Sequence, residues 1–373
     1  MKILAIETSC DETAASLCEA KGGDFRVLSN IVSSQINIHK KYGGVVPEVA
    51  ARKHAEVIFD VAGRALKTIG LPKPYSKVDL IAVTEGPGLV TSLRVGVLAA
   101  QSISMLANIP LVGVNHIEAH LLSAFLTLQK NMRLPRPEYR TRNDGGIEFP
   151  AIGLIVSGGH TELVLIKDFG KYKIIGETRD DAVGEAFDKV AKMLNLGYPG
   201  GPAISREAEK RITNYELQIT NIKLPRPMIN SKDFDFSFSG LKTAVLYLTK
   251  KMSKAELKKM TPAICREFQD AAVEVLVKKT ARAAERYNAA GSERSRRIKS
   301  VLVGGGVSAN KELRGALEKL DYKVYLPDLE YTGDNATMIA FAGWKKWQRT
   351  KKNEVFRVKA EANLAIDKKY RLC

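Results

Sequence analysis

Two histidines four residues apart, His116 and His120, are the side chains of this chain best suited to metal chemistry. The apolar residues that follow them, Leu121, Leu122 and Phe125, predict a helix through this stretch. Residues four apart on a helix lie one above the other, so both imidazoles can bind one ion. The spacing alone is equally compatible with a pair of polar residues on a helix surface.

A zinc peptidase is the function that this motif excludes. Such enzymes carry H-E-x-x-H, with the glutamate directly after the first histidine. Here the glutamate is Glu118, two residues after His116 and therefore about 200° around the helix from it. Because Glu118 cannot easily reach a water held between the two histidines, we reject a peptidase.

Length and composition indicate an ordinary globular protein. A chain of 373 residues, 45% hydrophobic and 27% charged, favours two domains with separate cores. The start of the chain has the pattern of a strand and not of a signal peptide, and polar residues interrupt the most apolar region, 95–115, so we expect no membrane span. The 4 cysteines form no CxxC motif, which predicts reduced thiols and a cytoplasmic location.

The net charge of +17 predicts a polyanionic partner. Basic residues concentrate in three regions, 130–142, 294–299 and 341–373, and the last of these also carries Trp344 and Trp347. No RRM or KH signature is present, so the charge indicates nucleic acid without naming it. A basic surface without such a partner is the open alternative.

An internal duplication gives the fold. A buried strand at 2–8 is followed by the polar turn 9–13 and two further strands, and an apolar strand at 151–156 is followed by the turn 157–161 and two further strands. Two copies of three antiparallel strands, each followed by a helix and a parallel strand, predict an α/β fold of two lobes with the turns facing a ligand cleft. The predicted segments are an N-terminal lobe, an Arg/Pro-rich connecting loop, a C-terminal lobe, a return segment and a basic tail: 1–128, 129–149, 150–330, 331–345 and 346–373.

Glycine-rich turns favour nucleotide binding. One turn, 157–159, lies between two strands, and a second, 304–306, lies between a strand and a helix expected to begin near 308–310. Backbone NH groups in such turns can approach a phosphate closely. Neither turn is a Walker A loop or a GxGxxG motif, and each alone is more often structural. Together with the turn 197–202 they make a nucleotide seat the better interpretation.

Acidic residues accompany these turns. Asp180, Asp181, Glu185 and Asp188 lie on or just before one predicted helix, where they suit ribose hydroxyls or a cation. Helix N-terminal acids favoured by the helix dipole are the alternative.

Eight motifs in order make the chain resemble the tRNA N6-threonylcarbamoyladenosine synthase family of the bacterial TsaD type, formerly termed glycoprotease. They are ETSCDETA at 7–14, HIEAH at 116–120, SGGHTEL at 157–163, AVGEAFDKVAKML at 182–194, GYPGGP at 197–202, DFSFSGLKTA at 235–244, GGGVSAN at 304–310 and TGDNATMIA at 332–340. The resemblance implies an actin-like, sugar-kinase-like (ASKHA) fold with duplicated RNase H-like domains.

The resemblance also implies a site. Its metal ligands are His116, His120 and Asp334, holding Fe²⁺ or else Zn²⁺. Three polar groups are expected on the phosphate side of the cleft, namely Asp11, Glu12 and His160, and either Asp11 or His160 is a candidate for the base. Contacts to the adenylate substrate are expected from Ile155, Val156, Ser157, Gly158, Gly159, Asp188, Gly201 and Asn310.

The implied reaction transfers a threonylcarbamoyl group from threonylcarbamoyl-AMP to N6 of the adenine 3′ of the anticodon in tRNAs that read ANN codons. The implied partners are tRNA, a smaller paralogous subunit of the TsaB type that pairs through the N-terminal lobe, and a P-loop ATPase of the TsaE type. The basic tail and the two other basic regions are the predicted tRNA surface. An actin-like ATPase or small-molecule kinase is the alternative, and a non-catalytic scaffold is a third. The histidine pair argues against the kinase, which relies on Mg²⁺ held by phosphates and carboxylates.

Overall fold

A computed structural model describes residues 1–67, 75, 77–126, 147–210, 222–290, 297–350 and 358–367. It divides into two compact units. The first comprises Met1–Ile147, Phe169–Tyr172 and Pro327–Cys373, and the second comprises Glu148–Asp168 and Lys173–Leu326. Most of the predicted connecting loop and much of the predicted basic tail lie outside the described residues.

The first unit is a five-stranded sheet covered by helices on both faces. Its sheet order is β3-β2-β1-β4-β5, with β1 antiparallel to β2 and parallel to β4. Its elements are β1 (Lys2–Glu7), β2 (Glu12–Lys21), β3 (Asp24–Ser34), α1 (Ile36–His39), α2 (Pro47–Lys67), β4 (Leu80–Gly86), α3 (Val90–Ala107), β5 (Leu111–Asn115) and α4 (His116–Leu122), and, after the second unit, α10 (Ala336–Arg349).

The central strands β1 and β4 are buried along almost their whole length because helices cover both faces of the sheet. On β4, Ile81 and Val83 pack with residues of α2 and α3 in one buried cluster. Ala82 points to the other face, where a Cβ added to Gly343 of α10 would lie 2.6 Å from the Ala82 methyl. This close approach keeps α10 against the sheet, and α10 begins directly after Asp334.

The second unit repeats the same sheet. Its order is β8-β7-β6-β9-β10, again three antiparallel strands followed by two parallel ones, which confirms the predicted duplication. Its elements are β6 (Ala151–Val156), β7 (Thr161–Asp168), β8 (Lys171–Glu177), α5 (Val183–Met193), α6 (Gly200–Ala208), α7 (Ser239–Lys250), α8 (Lys254–Ala290), β9 (Ser300–Gly304), a 3₁₀ turn (Gly306–Ala309), α9 (Lys311–Leu317) and β10 (Lys323–Tyr325).

One helix of the described residues, α3, is long and apolar enough to cross a membrane by length and composition alone. It is a core helix of the first unit, since Leu93, Val97 and Ile103 are buried in it and Val97 and Ile103 join the cluster formed with the sheet. A single helix of this kind is weak evidence for a membrane span, because a core helix of a globular protein passes the same test.

Helix α10 packs on the first unit, and its buried residues correct part of the predicted tRNA surface. Trp344, Lys345 and Lys346 lie on α10 and are 4–6% exposed, and Lys346 Nζ donates to Gly113 O at 2.7 Å. These residues are therefore unavailable to a nucleic acid. Their alternation of aromatic and basic side chains indicated a surface, but it arises from a helix whose lysines have internal partners.

The segment 358–367 runs back along the first unit. Backbone hydrogen bonds join Glu361 N to Glu85 O at 2.7 Å and Gly88 N to Ala362 O at 3.1 Å. The side chain of Asn115 donates to Leu364 O at 2.9 Å. The segment therefore fixes the end of β5, where the helix with both histidines begins.

Candidate functional site

Three possible metal ligands lie together in the first unit: His116, His120 and Asp334. Their ligand atoms all lie within 4.8 Å of one another. Asp334 Oδ1 is 3.0 Å from His120 Nε2 and 3.5 Å from His116 Nε2, and the two imidazoles are nearly perpendicular with centroids 4.5 Å apart. Both histidines are buried, so the three side chains form a compact group with nitrogen and oxygen donors.

Two asparagines, each adjacent in sequence to a possible metal ligand, cap the helices that begin there. Asn115 precedes α4, and its Oδ1 accepts from Ile117 N at 2.9 Å and from Glu118 N at 3.0 Å. Asn335 precedes α10, and its Oδ1 accepts from Met338 N at 3.1 Å. Side-chain caps satisfy NH groups that the first turn of a helix leaves open. The caps thereby fix the backbone at the positions from which the ligands project.

Glu7 lies in the candidate site but is not among the residues predicted from the sequence. It is fully buried at the end of β1, and its Oε2 lies 3.2 Å from His116 Nδ1. Its carboxylate also accepts from Ser9 N and from the Thr84 hydroxyl. With Nδ1–H donating to Glu7, His116 presents Nε2 to Asp334, and such carboxylate partners fix the tautomer of metal-binding histidines. A carboxylate inside an otherwise apolar strand was the available signal.

The two histidines differ in charge because their neighbours differ. Burial on its own would lower the pKa of His116, but the carboxylates of Asp334 and Glu7 raise that pKa to about 9. Burial and then the charge of His116 lower the pKa of His120 below its usual value. The metal-free protein therefore carries one imidazolium here, and a metal ion, which needs a neutral imidazole nitrogen, would displace its proton.

The donor set fits a transition-metal ion. Two imidazole nitrogens and one carboxylate oxygen suit Fe²⁺ or Zn²⁺, whereas Mg²⁺ and Ca²⁺ prefer oxygen donors alone. Three protein ligands also leave coordination positions for a substrate.

Two predicted acids, Asp11 and Glu12, lie at the turn into β2 of the same unit. Asp11 is 6% exposed, and its Oδ2 has no hydrogen-bond partner among the described residues. Burial, followed by the charges of Asp334 and Asp11, raises the pKa of Glu12 to about 10. Glu12 is therefore protonated near neutral pH in the metal-free protein.

The predicted nucleotide turns are neighbours in the second unit. Ile155 is in register with Gly304 on the adjacent parallel strand, so the turns after β6 and β9 leave the same edge of the sheet. A Cβ at Gly305, whose φ is +94°, would overlap Val156 O, whereas positions 158, 159 and 306 have no atom within 4 Å of an added Cβ. The glycines thus allow one close backbone contact and leave open space beside both turns.

Several predicted nucleotide contacts hold the fold together. Ser157 Oγ accepts from His160 N at 3.0 Å and from Gly159 N at 3.3 Å. Asn310 Oδ1 accepts from Leu313 N at 2.9 Å and caps α9. These groups would have to exchange partners, or offer their remaining hydrogen-bonding capacity, to bind a ligand.

Three acids of the predicted ribose or cation site also have structural partners. Asp188 Oδ1 accepts from Gly200 N at 2.6 Å. Asp180 accepts from Phe238 N at 2.8 Å and from the Ser239 hydroxyl at 2.6 Å, at the start of α7. Asp181 pairs with Lys189 and Lys242 at 2.7 and 2.6 Å. The hydrogen bonds of Asp180 and the ion pairs of Asp181 therefore account for these two acids without a ligand.

Comparison with known proteins decides the family. Residues 26–341 match the family model of tRNA N6-adenosine threonylcarbamoyltransferase. The chain belongs to this family. The enzyme of this name from Persephonella marina is 43% identical over 99% of this chain and 96% of its own length. The one from Bacillus subtilis is 45% identical over 92% and 90%.

A solved structure supports the fold. T. kodakarensis HypF matches 93% of this chain and 47% of its own, with a TM-score of 0.56 and 15% identity. Together with the duplicated sheets, this likeness shows the predicted actin-like, sugar-kinase-like architecture. Family membership makes the chain a transferase of threonylcarbamoyladenosine formation in tRNA, and the kinase alternative is not favoured.

Proposed function

We propose that this chain transfers the threonylcarbamoyl group of threonylcarbamoyl-AMP to N6 of the adenine 3′ of the anticodon in tRNAs that read ANN codons, with a metal ion at His116, His120 and Asp334. The observation that carries the metal assignment is that three ligand atoms from two distant segments lie within 4.8 Å of one another. Fe²⁺ is the ion we propose first and Zn²⁺ the second. The chain would act in the cytoplasm, in keeping with cysteines that are free at 10, 18 and 265.

In this reaction the adenine amine attacks the carbamoyl carbon, the bond from that carbon to the phosphate oxygen breaks, and AMP leaves. A divalent ion held by His116, His120 and Asp334 would supply a Lewis acid for the carbonyl of the threonylcarbamoyl group. Glu7 holds His116 with Nε2 toward Asp334, and the caps at Asn115 and Asn335 hold the ligand segments. Because an aromatic amine is a weak nucleophile, positioning should supply much of the acceleration.

The amine must also lose a proton, and Asp11 is the base that we favour. Asp11 has a buried oxygen without a hydrogen-bond partner among the described residues, so it can accept a proton without breaking an existing bond. His160, in the second unit, is the alternative base.

The adenylate would bind at the turns of the second unit, with Ile155 to Gly159 beside it and Asp188, Gly201 and Asn310 around it. The support is the shared sheet edge of the two glycine turns and the open space at positions 158, 159 and 201. Carboxyl ends of parallel strands are the usual ligand sites of open α/β sheets.

The partners that we propose are tRNA, a smaller paralogous subunit and a P-loop ATPase. The support for the paralogue is the outer face of α3, where Leu98, Met105 and Leu106 are 62%, 82% and 90% exposed. Apolar side chains concentrated on one helix indicate a protein contact more than a solvated face.

The test is threonylcarbamoyl transfer to unmodified tRNA with the partner proteins added. We expect His116→Ala/His120→Ala to lose both the bound metal and the transfer, and His39→Gln, which changes another buried histidine of the same unit, to keep both. Transfer that survives metal loss would remove the metal from the proposal. Phosphorylation of a small molecule without any transfer would favour the kinase.

A further inference from the structure

A cavity of about 300 Å³ opens in the second unit beside the C-terminal half of α8. Its lining comprises three cationic side chains, one acid, one aromatic ring and one alanine: Lys232, Arg282, Arg286, Glu285, Phe234 and Ala289. The volume is at the lower end of the range for ligand pockets, about 300–1,000 Å³, and suits one nucleotide better than a duplex. Neither the metal group nor the glycine turns contribute to it.

Arg282 gives this cavity a positive wall. Its guanidinium donates to two backbone carbonyls, Ile229 O at 3.2 Å and Asp233 O at 2.7 Å. Neutral acceptors orient the group without cancelling its charge, and these two bonds leave other N–H groups of the guanidinium unused. A bound anion would therefore meet a cation held in a fixed orientation.

The charged groups packed next to Arg282, Asp233 and Lys279, do not neutralise its positive charge. The carboxylate of Asp233 already pairs with Arg179 at 2.6 Å. Lys279 is fully buried there and donates to Ser231 Oγ at 2.9 Å. Burial, and next the charge of Arg282, lower the pKa of Lys279 to about 8.

Phe234 adds a surface for a base. Its ring is half-buried and lies 5.9 Å from the guanidinium carbon of Arg282. Proteins bind unpaired nucleotides by combining cationic contacts to phosphate with stacking on aromatic rings. We infer that this cavity binds one unpaired nucleotide of the tRNA substrate, with its phosphate on Arg282, Arg286 and Lys232 and its base on Phe234.

This inference rests on tRNA as the substrate, and it replaces the buried part of α10 as a tRNA contact. The test compares two charge-matched double variants of the full chain. Lys232→Ala/Arg286→Ala removes two exposed cations of the cavity, and Lys254→Ala/Lys258→Ala removes two exposed cations at the other end of the same helix. Both pairs leave Arg282 and the buried network unchanged, so folding should be retained.

We expect the cavity variant to weaken tRNA binding at least about tenfold at low salt and to flatten the plot of log K against log salt by about 0.7, the slope expected for the one phosphate contact that the cavity supplies. The control variant should match the parent. In the transfer assay, the cavity variant should raise KM for tRNA and keep kcat at saturating tRNA. Phe234→Leu should weaken tRNA binding without changing the salt slope.

Equal affinities and slopes for the cavity and control variants would overturn the inference. So would a cavity that binds only a free anion, seen as a thermal shift with inorganic phosphate or AMP that the cavity variant loses while its tRNA affinity is unchanged. A parent that binds tRNA through the cavity but transfers nothing would contradict the proposed function and leave the cavity assignment in place.

Discussion

The turn after the first strand is where the two units of this chain differ most. Both sheets have the same order, and in both a glycine after the fourth strand lies against that turn: a Cβ at Gly88 would be 2.6 Å from Ser9 O, and one at Gly305 would overlap Val156 O. In the first unit the strand ends on a carboxylate, Glu7, and in the second on an apolar residue, Val156.

The shared part of this comparison is a backbone requirement, and the different part is chemistry. The topology places two turns so close that one of them needs a glycine, whichever ligand the unit binds. The first unit adds carboxylates and imidazoles, which suit a cation. The second adds glycines with open space, which suit an anion or a nucleotide.

The substitution Gly305→Ala tests the shared backbone requirement and is the one for which we expect the largest effect on stability. The substitution places a methyl against a backbone carbonyl at a φ of +94°, a strain of about 1–3 kcal/mol before the overlap is counted. We expect the free energy of unfolding to fall by at least about 2 kcal/mol, with loss of adenylate binding measured by calorimetry. Gly306→Ala, where an added Cβ meets nothing within 4 Å, is the control. Equal stability of the two variants would show that the close approach is unimportant.

Sequence patterns predicted the duplication well because strand periodicity and turn residues are local signals. The paired sheets depend on these signals, and so does the helix predicted after the second set of three strands, which the structure places at Val183–Met193. The histidine pair could be placed on one helix face for the same reason. The third ligand, Asp334, is 214 residues from His120, and no spacing rule joins residues so far apart.

Partners of polar side chains were harder to predict than elements. Asp180 and Asp181 looked like ligand-binding acids because a sequence does not show that Ser239 and Lys242 lie beside them. Lys346 looked exposed because nothing in its neighbours along the chain reveals the carbonyl of Gly113. Burial of charged groups depends on tertiary contacts, and these were visible only in the structure.

A smaller effect should follow when the carboxylate that distinguishes the first unit is removed. Glu7→Gln keeps the side-chain volume and takes away the charge facing His116, and we expect metal affinity to fall about 10- to 100-fold, as for other partners of metal-binding histidines. The fold should survive, since Val156 occupies the equivalent position in the second unit. Competition titrations with a chromophoric chelator measure this, with Ser9→Ala, which removes a longer 3.3 Å contact to His116, as the control. Unchanged affinity in Glu7→Gln would leave Glu7 with a packing role only.

The stability of the metal-free protein should depend on pH through the ionisation of His116. The folded pKa of His116, about 9, lies above its ordinary value of 6.5 because Asp334 and Glu7 outweigh the effect of burial. The proton is therefore bound more tightly in the folded state, so the stabilisation is complete below about pH 6.5 and is lost as the pH rises through 9. We expect the fall in unfolding temperature over this window to be smaller in Asp334→Asn than in the parent. Parallel curves for the two proteins would contradict the assignment.

The smallest effect on stability should come from the two capping asparagines, Asn115 and Asn310, each of which also donates a hydrogen bond to a second segment of its unit. Asn115 caps α4 and donates to Leu364 O, whereas Asn310 caps α9 and donates to Gln269 Oε1 at 2.8 Å and to Ser205 Oγ at 3.1 Å. Aspartate at either position keeps the cap and loses the amide donor. Each lost hydrogen bond costs about 1 kcal/mol, and a negative charge at a helix N-terminus returns a few tenths of that.

Asn115→Asp should therefore lower the free energy of unfolding of the first unit by less than Asn115→Ala, which also removes the cap at a further cost of about 1 kcal/mol. Because α4 carries both histidines, Asn115→Asp should weaken metal binding as well, while Asn310→Asp should leave it unchanged. Chemical denaturation and the chelator titration measure the two effects on the same samples. If both variants weakened metal binding equally, the metal group would depend on the stability of the whole chain, and the segment 358–367 would have no specific part in positioning α4.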